Sequence, residues 1–319
     1  TELGSPSVPT AASMRKMIPE ADLWPISDTW HYHDLLNGLH EYVNAVDRLY
    51  GKAENIDDFC RKVQLINYDS YRAMFESWNS RLWDNTSGVL LWMSHPAWPS
   101  VEWQTYSWDY ETFGSYYGSR KACEPVHIQM NLDDQDVTLV NTSTDALDAL
   151  TASLVCYDLN GKKILSRIEK GISLPANSKK EIFKAETGEI EGTYILRLTL
   201  SDNKGRKISV NDYILRGKGV EDYQALNAVP LARVKARRLN QTSDGKCRFE
   251  ISNAGKSIAL NLKLNLRDAS TGEIILPAYF SDGYFHLLPG EKRIIEISAP
   301  AEGNISVEGY NVPQQTIIR

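Results

Sequence analysis

The stretch Gly88-Val89-Leu90-Leu91-Trp92-Met93-Ser94-His95-Pro96-Ala97-Trp98-Pro99-Ser100-Val101-Glu102-Trp103-Gln104 decides the reading of this chain. Its opening run, Val89 to Met93, is continuously apolar, as expected of a strand buried on both faces. A turn-rich stretch, Asp84 to Gly88, separates it from an upstream segment in which Phe59, Val63, Ile66, Met74, Phe75, Trp78 and Leu82 recur at helical spacing. Polar residues such as Arg61, Asp69 and Arg72 lie between them, so an amphipathic helix is predicted from about Asn55 to Trp83. A helix followed by a buried strand is the repeating unit of a parallel α/β sheet. A shorter helix is predicted over Tyr42 to Tyr50, closed by Gly51.

Past Pro125 the pattern changes to short alternating strands. Val137–Val140, Ala152–Tyr157, Tyr194–Leu200, Lys207–Val210, Leu260–Leu266 and Ile294–Ile297 read as sandwich strands, with turns at Asn160-Gly161, Asn203-Lys204-Gly205 and Asp282-Gly283. The pattern also repeats. Val140-Asn141-Thr142, Leu154 to Asp158 and Leu174-Pro175 are echoed by Ile251-Ser252-Asn253, Leu264 to Asp268 and Leu288-Pro289. A repeat of roughly a hundred residues fits two tandem sandwiches better than one large sheet. Glycine and charge between Lys218 and Gln224 place the boundary there.

With 319 residues, the chain can bury more than one core. Hydrophobic residues at 42% and charged residues at 24% are globular values. A net charge of −6 with scattered basic residues offers no footprint for nucleic acid or anionic lipid, and no apolar run approaches the length that spans a bilayer. Nucleic-acid and membrane partners are therefore not expected. The four cysteines, Cys60, Cys123, Cys156 and Cys247, lie far apart without a CxxC pair and read as buried thiols. No cofactor is implied. The chain opens on Thr1 with no signal-like segment after it, so it reads as cropped at its start.

All eight tryptophans lie between Trp24 and Trp108, a density that suits either a large core or a sugar-facing cleft. Trp92 reads equally as core or as sugar contact, whereas Trp98, in a proline-bracketed loop, leans to the cleft. His95 is a polar cleft residue or a plain loop histidine. Trp30-His31-Tyr32-His33 holds two histidines without a third ligand at metal spacing, so a cleft-rim aromatic loop is the better reading and no metal site is expected. Arg237-Arg238 reads as a solvated strand edge. The Asn-x-Ser/Thr triplets at Asn85, Asn141, Asn240 and Asn304 are short enough to arise by chance.

The quoted stretch, together with Tyr116-Tyr117-Gly118-Ser119-Arg120-Lys121-Ala122-Cys123-Glu124-Pro125-Val126-His127-Ile128-Gln129, resembles the end of the catalytic barrel in family 2 glycoside hydrolases. The nearest branch is that of exo-β-glucosaminidases and endo-β-mannosidases. The resemblance is specific over residues 60 to 129 and looser beyond, where Tyr279 to Phe285 and Leu288-Pro289-Gly290-Glu291 look like the family's final sandwich.

It implies the C-terminal part of a (β/α)8 TIM barrel over residues 1–124, then two immunoglobulin-like β-sandwiches over 125–219 and 220–319. It also implies a retaining β-glycosidase that hydrolyses terminal β-linked hexose or hexosamine residues by double displacement. On position alone Glu2 reads as an exposed terminal glutamate. Within the resemblance, Thr1-Glu2-Leu3-Gly4 with Val8-Pro9 and Met14-Arg15 looks like the segment opening on the family's nucleophile, which makes Glu2 that nucleophile.

Trp92, Trp98 and His95 become its substrate contacts, though His95 stands where relatives often have asparagine, so substrate preference does not carry over. The general acid has no counterpart here; the barrel and sandwich segments that precede this region in the family are the implied partners, the carbohydrate is the substrate, and a secreted or periplasmic location follows. The competing reading is a non-catalytic carbohydrate-binding or scaffolding fragment. It predicts sugar-binding aromatics on the sandwiches, yet those hold no tryptophan.

Overall fold

A computed structural model describes residues 2–34, 38–240, 242, 246–299 and 302–317. Thr1 of the Glu2 motif, and Gln241 of the Asn240 triplet, lie outside the described residues. The chain forms two compact units. One gathers Thr1–Leu3, Ser70–Leu91 and Gly118–Tyr223; the other gathers Gly4–Asp69, Trp92–Tyr117 and Gln224–Arg319.

The first third is helical, with β1 (Glu2–Leu3), α1 (Ala11–Met17), α2 (Asp28–Tyr32), α3 (Leu39–Tyr50), α4 (Ile56–Asn79), β2 (Leu90–Leu91) and α5 (Gly114–Ala122). Helix α3 buries Leu39, Tyr42, Val46 and Tyr50, one face at helical spacing, and Gly51 ends it at φ 80°. Helix α4 stops short of the expected Trp83. The chain turns there instead, Trp83 adopting φ 65° and donating its N–H to Thr86 O at 2.8 Å. The core of this region joins Met14, Leu23, Trp30, Val46, Phe59 and Val63.

Two expectations are corrected here. The run Val89 to Met93 is not a strand buried on both faces: β2 comprises Leu90 and Leu91 alone, and Leu90 is 71% exposed. Its sheet has two strands, so β2 has a single hydrogen-bonded neighbour among the described residues. Residues Trp30 to Tyr32 are not a rim loop, because they close helix α2 with Trp30 fully buried. The Trp30 indole N–H donates to Leu23 O at 3.0 Å, and its ring meets Phe59 edge-on.

Beyond Pro125 the regular structure among the described residues is strand, apart from one short 3-10 turn at Gln224–Ala228. The first sandwich has β3 (Val126–Met130), β4 (Asp136–Asn141), β5 (Leu147–Asp158), β6 (Lys163–Leu174), β7 (Ser178–Lys184), β8 (Thr193–Ser201) and β9 (Lys207–Arg216). Sheet β3-β4-β7 faces sheet β6-β5-β8-β9 across a shared core. Period-two alternation builds that core: Leu150, Ala152, Leu154 and Cys156 point inward from β5, and Leu196, Leu198 and Leu200 from β8. Each leucine so buried contributes about 1.5–3 kcal/mol. The hairpins turn at Gly161 and Gly205, both with φ near 80°, where Asp158 and Asp202 each accept two backbone N–H groups across the turn.

The second sandwich has β10 (Val234–Leu239), β11 (Cys247–Asn253), β12 (Ala259–Arg267), β13 (Tyr279–Phe280), β14 (Phe285–Leu287), β15 (Lys292–Ser298), β16 (Asn304–Gly309) and β17 (Val312–Ile317). Its sheets run β10-β11-β15-β13 and β14-β12-β16-β17. Arg237 and Arg238 lie on edge strand β10. Phe113 and Tyr117 join this sandwich's core beside Leu262, Leu264 and Ile295. Gly283 is required there, since a Cβ would stand 2.8 Å from the Tyr117 ring.

The cysteines divide. Cys60 and Cys156 are buried thiols, and burial pushes Cys156 up to about 12. Cys123 is instead exposed, at the turn that ends α5, and Cys247 is half-buried at the start of β11.

Candidate functional site

Glu2 lies on β1, which pairs in parallel with β2 in the register Glu2↔Leu90 and Leu3↔Leu91. Parallel partners need a crossover, and here α1 to α4 lie in the chain between them. The Glu2 residue is exposed, so its carboxylate is presented rather than packed. Gly4 follows because nothing larger fits: a Cβ there would stand 1.9 Å from the Trp92 carbonyl oxygen and 3.0 Å from Trp103 Cδ1.

Trp92, Trp98 and His95 stand on the segment that follows β2. Trp92 is 49% exposed and Trp98 37%, so neither indole is core. Trp98 is not isolated. It stacks on His33 with centroids 5.4 Å apart, and Tyr32 meets it edge-on at 5.4 Å. A 2.7 Å hydrogen bond between His33 Nδ1 and Pro99 O ties that imidazole to the loop bearing Trp98.

His95 stacks on Tyr110 at 4.7 Å, with Tyr106 5.2 Å away. Its Nε2 is buried and without a hydrogen-bond partner among the described residues. Two aromatic groups thus form, Tyr32–His33–Trp98 and His95–Tyr106–Tyr110. Tyr110, at 50% exposure, escapes sequence reasoning as a site residue, because exposure of an aromatic has no signature in pattern, whereas Tyr32, at 73%, falls in the stretch read as a cleft rim. Around His31 and His33 no group of three metal-binding side chains gathers among the described residues.

Glu102 and Glu124, the other carboxylates of the two quoted stretches, are less available. Glu102 is buried, and it and Trp103 both carry positive φ, at 107° and 20°. Such backbone costs on the order of 1–3 kcal/mol per residue and concentrates at functional sites. Glu124 is engaged in a cluster with buried His127. One ring nitrogen of His127 lies 3.1 Å from Glu124 Oε2, the other 3.0 Å from Glu76 Oε1.

Both acceptors are carboxylates, so both nitrogens donate and the ring is an imidazolium. Burial would pull the His127 pKa down, but the hydrogen bonds to Glu124 and Glu76 outweigh it and raise it. For Glu124, burial pushes up, yet the His127 hydrogen bond and the Lys121 charge hold it down at about 2. Asn211 and Tyr213 complete the shell, donating to Glu76 at 2.6 and 2.9 Å. The cluster is fully buried around Glu76 and His127, and it positions rather than reacts.

Comparison with known proteins agrees with this architecture. Residues 133–216 match the mannosidase Ig/CBM-like domain family, and residues 212–312 the exo-β-D-glucosaminidase Ig-fold domain family. The chain is 27% identical to an exo-β-D-glucosaminidase of Amycolatopsis orientalis over 97% of its own length and 34% of the relative's. It is 25% identical to a mannosylglycoprotein endo-β-mannosidase of Lilium longiflorum, over 98% of itself and 42% of that protein.

The crystal structure of the Amycolatopsis orientalis exo-chitosanase superposes with a TM-score of 0.88 at 26% identity, covering 98% of this chain and 41% of that one. A β-D-mannosidase of Dictyoglomus thermophilum shares the fold at a TM-score of 0.77 and 20% identity. The chain thus spans between about a third and two fifths of the curated relatives it matches. On these likenesses the chain resembles the C-terminal portion of glycoside hydrolase family 2 members, in the branch of the exo-β-glucosaminidases and endo-β-mannosidases.

Proposed function

We propose that this chain carries the nucleophile of a retaining β-glycosidase and the tail of the (β/α)8 barrel around it. The observation that supports this best is Glu2: an exposed carboxylate on a parallel strand, followed at once by a glycine that admits no side chain. Catalytic groups of barrel enzymes stand at the C-terminal ends of such strands.

The Glu2 carboxylate attacks the anomeric carbon as the bond to the leaving oxygen breaks, forming a glycosyl ester. A second carboxyl group, about 5 Å away in retaining enzymes, first protonates the leaving oxygen and then takes a proton from the water that opens the ester. That acid/base belongs to barrel segments outside these 319 residues, so this chain without them is inactive. Trp92 and Trp98 stack on the pyranose, and His95 contributes a polar edge. The readable part of the pocket is aromatic and nearly neutral, which suits a neutral or amino β-hexoside cleaved from the non-reducing end. Export from the cytoplasm fits a polysaccharide substrate.

A mechanism-based 2-deoxy-2-fluoro β-glycoside, reacted with the protein joined to its barrel, is expected to label the peptide holding Glu2. A label on Glu102 or Glu124 would sink the assignment. Glu2→Ala is expected to reduce turnover by several orders of magnitude with the sandwiches intact, because covalent catalysis is lost while packing is not.

A further inference from the structure

A cavity of about 720 Å³ opens within the unit that contains the second sandwich. One wall is the outer face of β12. There Asn261, Lys263, Asn265 and Arg267 alternate with the core residues Leu262, Leu264 and Leu266. A face meant only to seal against the helical segment would be apolar; this one is polar throughout.

Its first residue is built into an unusual position. The β12–β14 register slips between Ala259 and Leu262, and at that bulge Asn261 takes φ 55°. Asparagine tolerates this region better than most residues, and bulges re-aim side chains. Asn261 is 5% exposed and lines the cavity, and its side-chain amide has no hydrogen-bond partner among the described residues. Tyr284, 4% exposed, lines the same cavity with a buried hydroxyl that also lacks a partner among the described residues.

The charges of the lining nearly cancel, five basic residues against four acidic. Most are already paired: Arg15 with Asp57, Lys16 with Asp109, Lys263 with Glu111. An anion or a polyamine would find no surplus of opposite charge. What is left over is a mixture of donors and acceptors. Asn261 offers both, and Glu308 keeps one carboxylate oxygen beyond the one that accepts from Asn265 at 2.7 Å. Gln314 keeps its NH2 while its oxygen accepts from Arg267 at 3.0 Å. Hydroxyl groups, each donor and acceptor at once, match such a set, and the volume falls in the range of small-ligand sites.

We infer that this cavity is a binding site for a neutral carbohydrate of one or two pyranose units. Its lining shares no residue with the aromatic groups around Trp98 and His95, and the inference does not rest on the role of Glu2.

The test is titration of the 319-residue chain with cellobiose, mannobiose and N,N′-diacetylchitobiose, followed by the backbone amide NMR signal of Lys263, a cavity-lining residue kept in every variant below. At least one disaccharide is expected to shift that signal saturably. Asn261→Gly, which suits the positive φ, is expected to weaken binding tenfold or more, and Ala12→Trp, which fills the cavity, to abolish it. Trp98→Ala is expected to leave it unchanged. Unaltered thermal melting keeps misfolding from passing as loss of binding; should Ala12→Trp fail that check, Asn261→Gly alone decides.

Saturable shifts from inorganic phosphate or spermidine in place of the sugars would overturn the ligand class. Sugar shifts that vanish in Trp98→Ala and persist in Asn261→Gly would place the binding elsewhere and leave the catalytic proposal standing. No saturable shift with any of the three disaccharides would mean a cavity filled only with water, and the inference fails.

Discussion

Asn141 and Asn253 make the same three hydrogen bonds in their separate sandwiches. Each amide donates to a carbonyl 4 residues on and to another 34 residues on, and each oxygen accepts a backbone N–H 2 residues on. Both asparagines are buried, at 0% and 1% exposure. Each therefore clips the end of its strand to two other segments whose carbonyls would otherwise be stranded. Replacing either by alanine is expected to cost about 1–3 kcal/mol, the penalty for unsatisfied buried groups. Replacement by aspartate should cost more at neutral pH, because a carboxylate then faces two carbonyls with no proton to give. Urea unfolding of the four variants checks this, and equal stability of Asp and Ala variants would contradict it.

The His127 cluster predicts a stability optimum. The folded pKa of His127 is raised above its ordinary 6.5, so its contribution is complete below pH 6.5 and is lost as pH rises through the folded value. Glu124 is depressed from 4.5 to about 2, so its contribution is complete above pH 4.5 and is lost as pH falls toward 2. Stability of this unit is expected to peak between pH 4.5 and 6.5. His127→Gln should flatten the alkaline limb, since glutamine does not titrate. Chemical denaturation across pH, with and without that substitution, reads the difference; an unchanged alkaline limb would remove His127 as its cause.

Much of this architecture was legible because it rests on period and on turn chemistry. The alternation of Leu150, Ala152, Leu154 and Cys156 belongs to a sheet with one inward face, and Gly51 after Tyr50 marks a helix end, whatever the surroundings. The repeat was legible as well, though its register was off by one, pairing Asn141 with Ser252 where the hydrogen bonds set it against Asn253.

What escaped depends on contacts between distant segments. The run at Leu90 reads as buried from composition, yet burial of a strand is decided by its neighbours, and β2 has one among the described residues. Trp30 and Trp98 both read from sequence as rim or cleft aromatics, but Phe59 covers the first and solvent reaches the second. The bulge that turns Asn261 outward has no local signal either, since it is set by slippage against β14.

The pair Glu111–Lys263 is buried on both sides, at 3% and 8% side-chain exposure. Glu111 also accepts from Ser13 at 2.7 Å and from Thr10. Removing one member leaves the other charge in a dry site, which costs about 3–5 kcal/mol. Lys263→Met is therefore expected to destabilise by that order, and Glu111→Leu combined with Lys263→Met by clearly less than the sum of the single changes. A double-mutant cycle in urea measures the coupling, and strict additivity would show that the pair does not act as one.

The last prediction separates chemistry from binding at the proposed active site. Trp98 is held by His33 stacking on its ring and by Tyr32 at its edge, so its indole is oriented before any sugar arrives. A preset aromatic face adds about 0.5–1.5 kcal/mol through stacking beyond the area it buries, equivalent to roughly 2- to 12-fold. In the protein joined to its barrel, Trp98→Ala is expected to lower kcat/KM on aryl β-hexosides by that range, mainly through KM, since stacking on the ring persists from ground state to transition state. Glu2→Ala should instead collapse kcat. Assaying both variants against aryl β-glucosaminide, mannoside, galactoside, glucoside and glucuronide also tests the pocket. With no basic clamp beside Trp92, Trp98 and His95, the glucuronide is expected to be the poorest substrate. Preference for it would contradict the pocket reading, and a Trp98→Ala loss confined to kcat would remove Trp98 as a binding face.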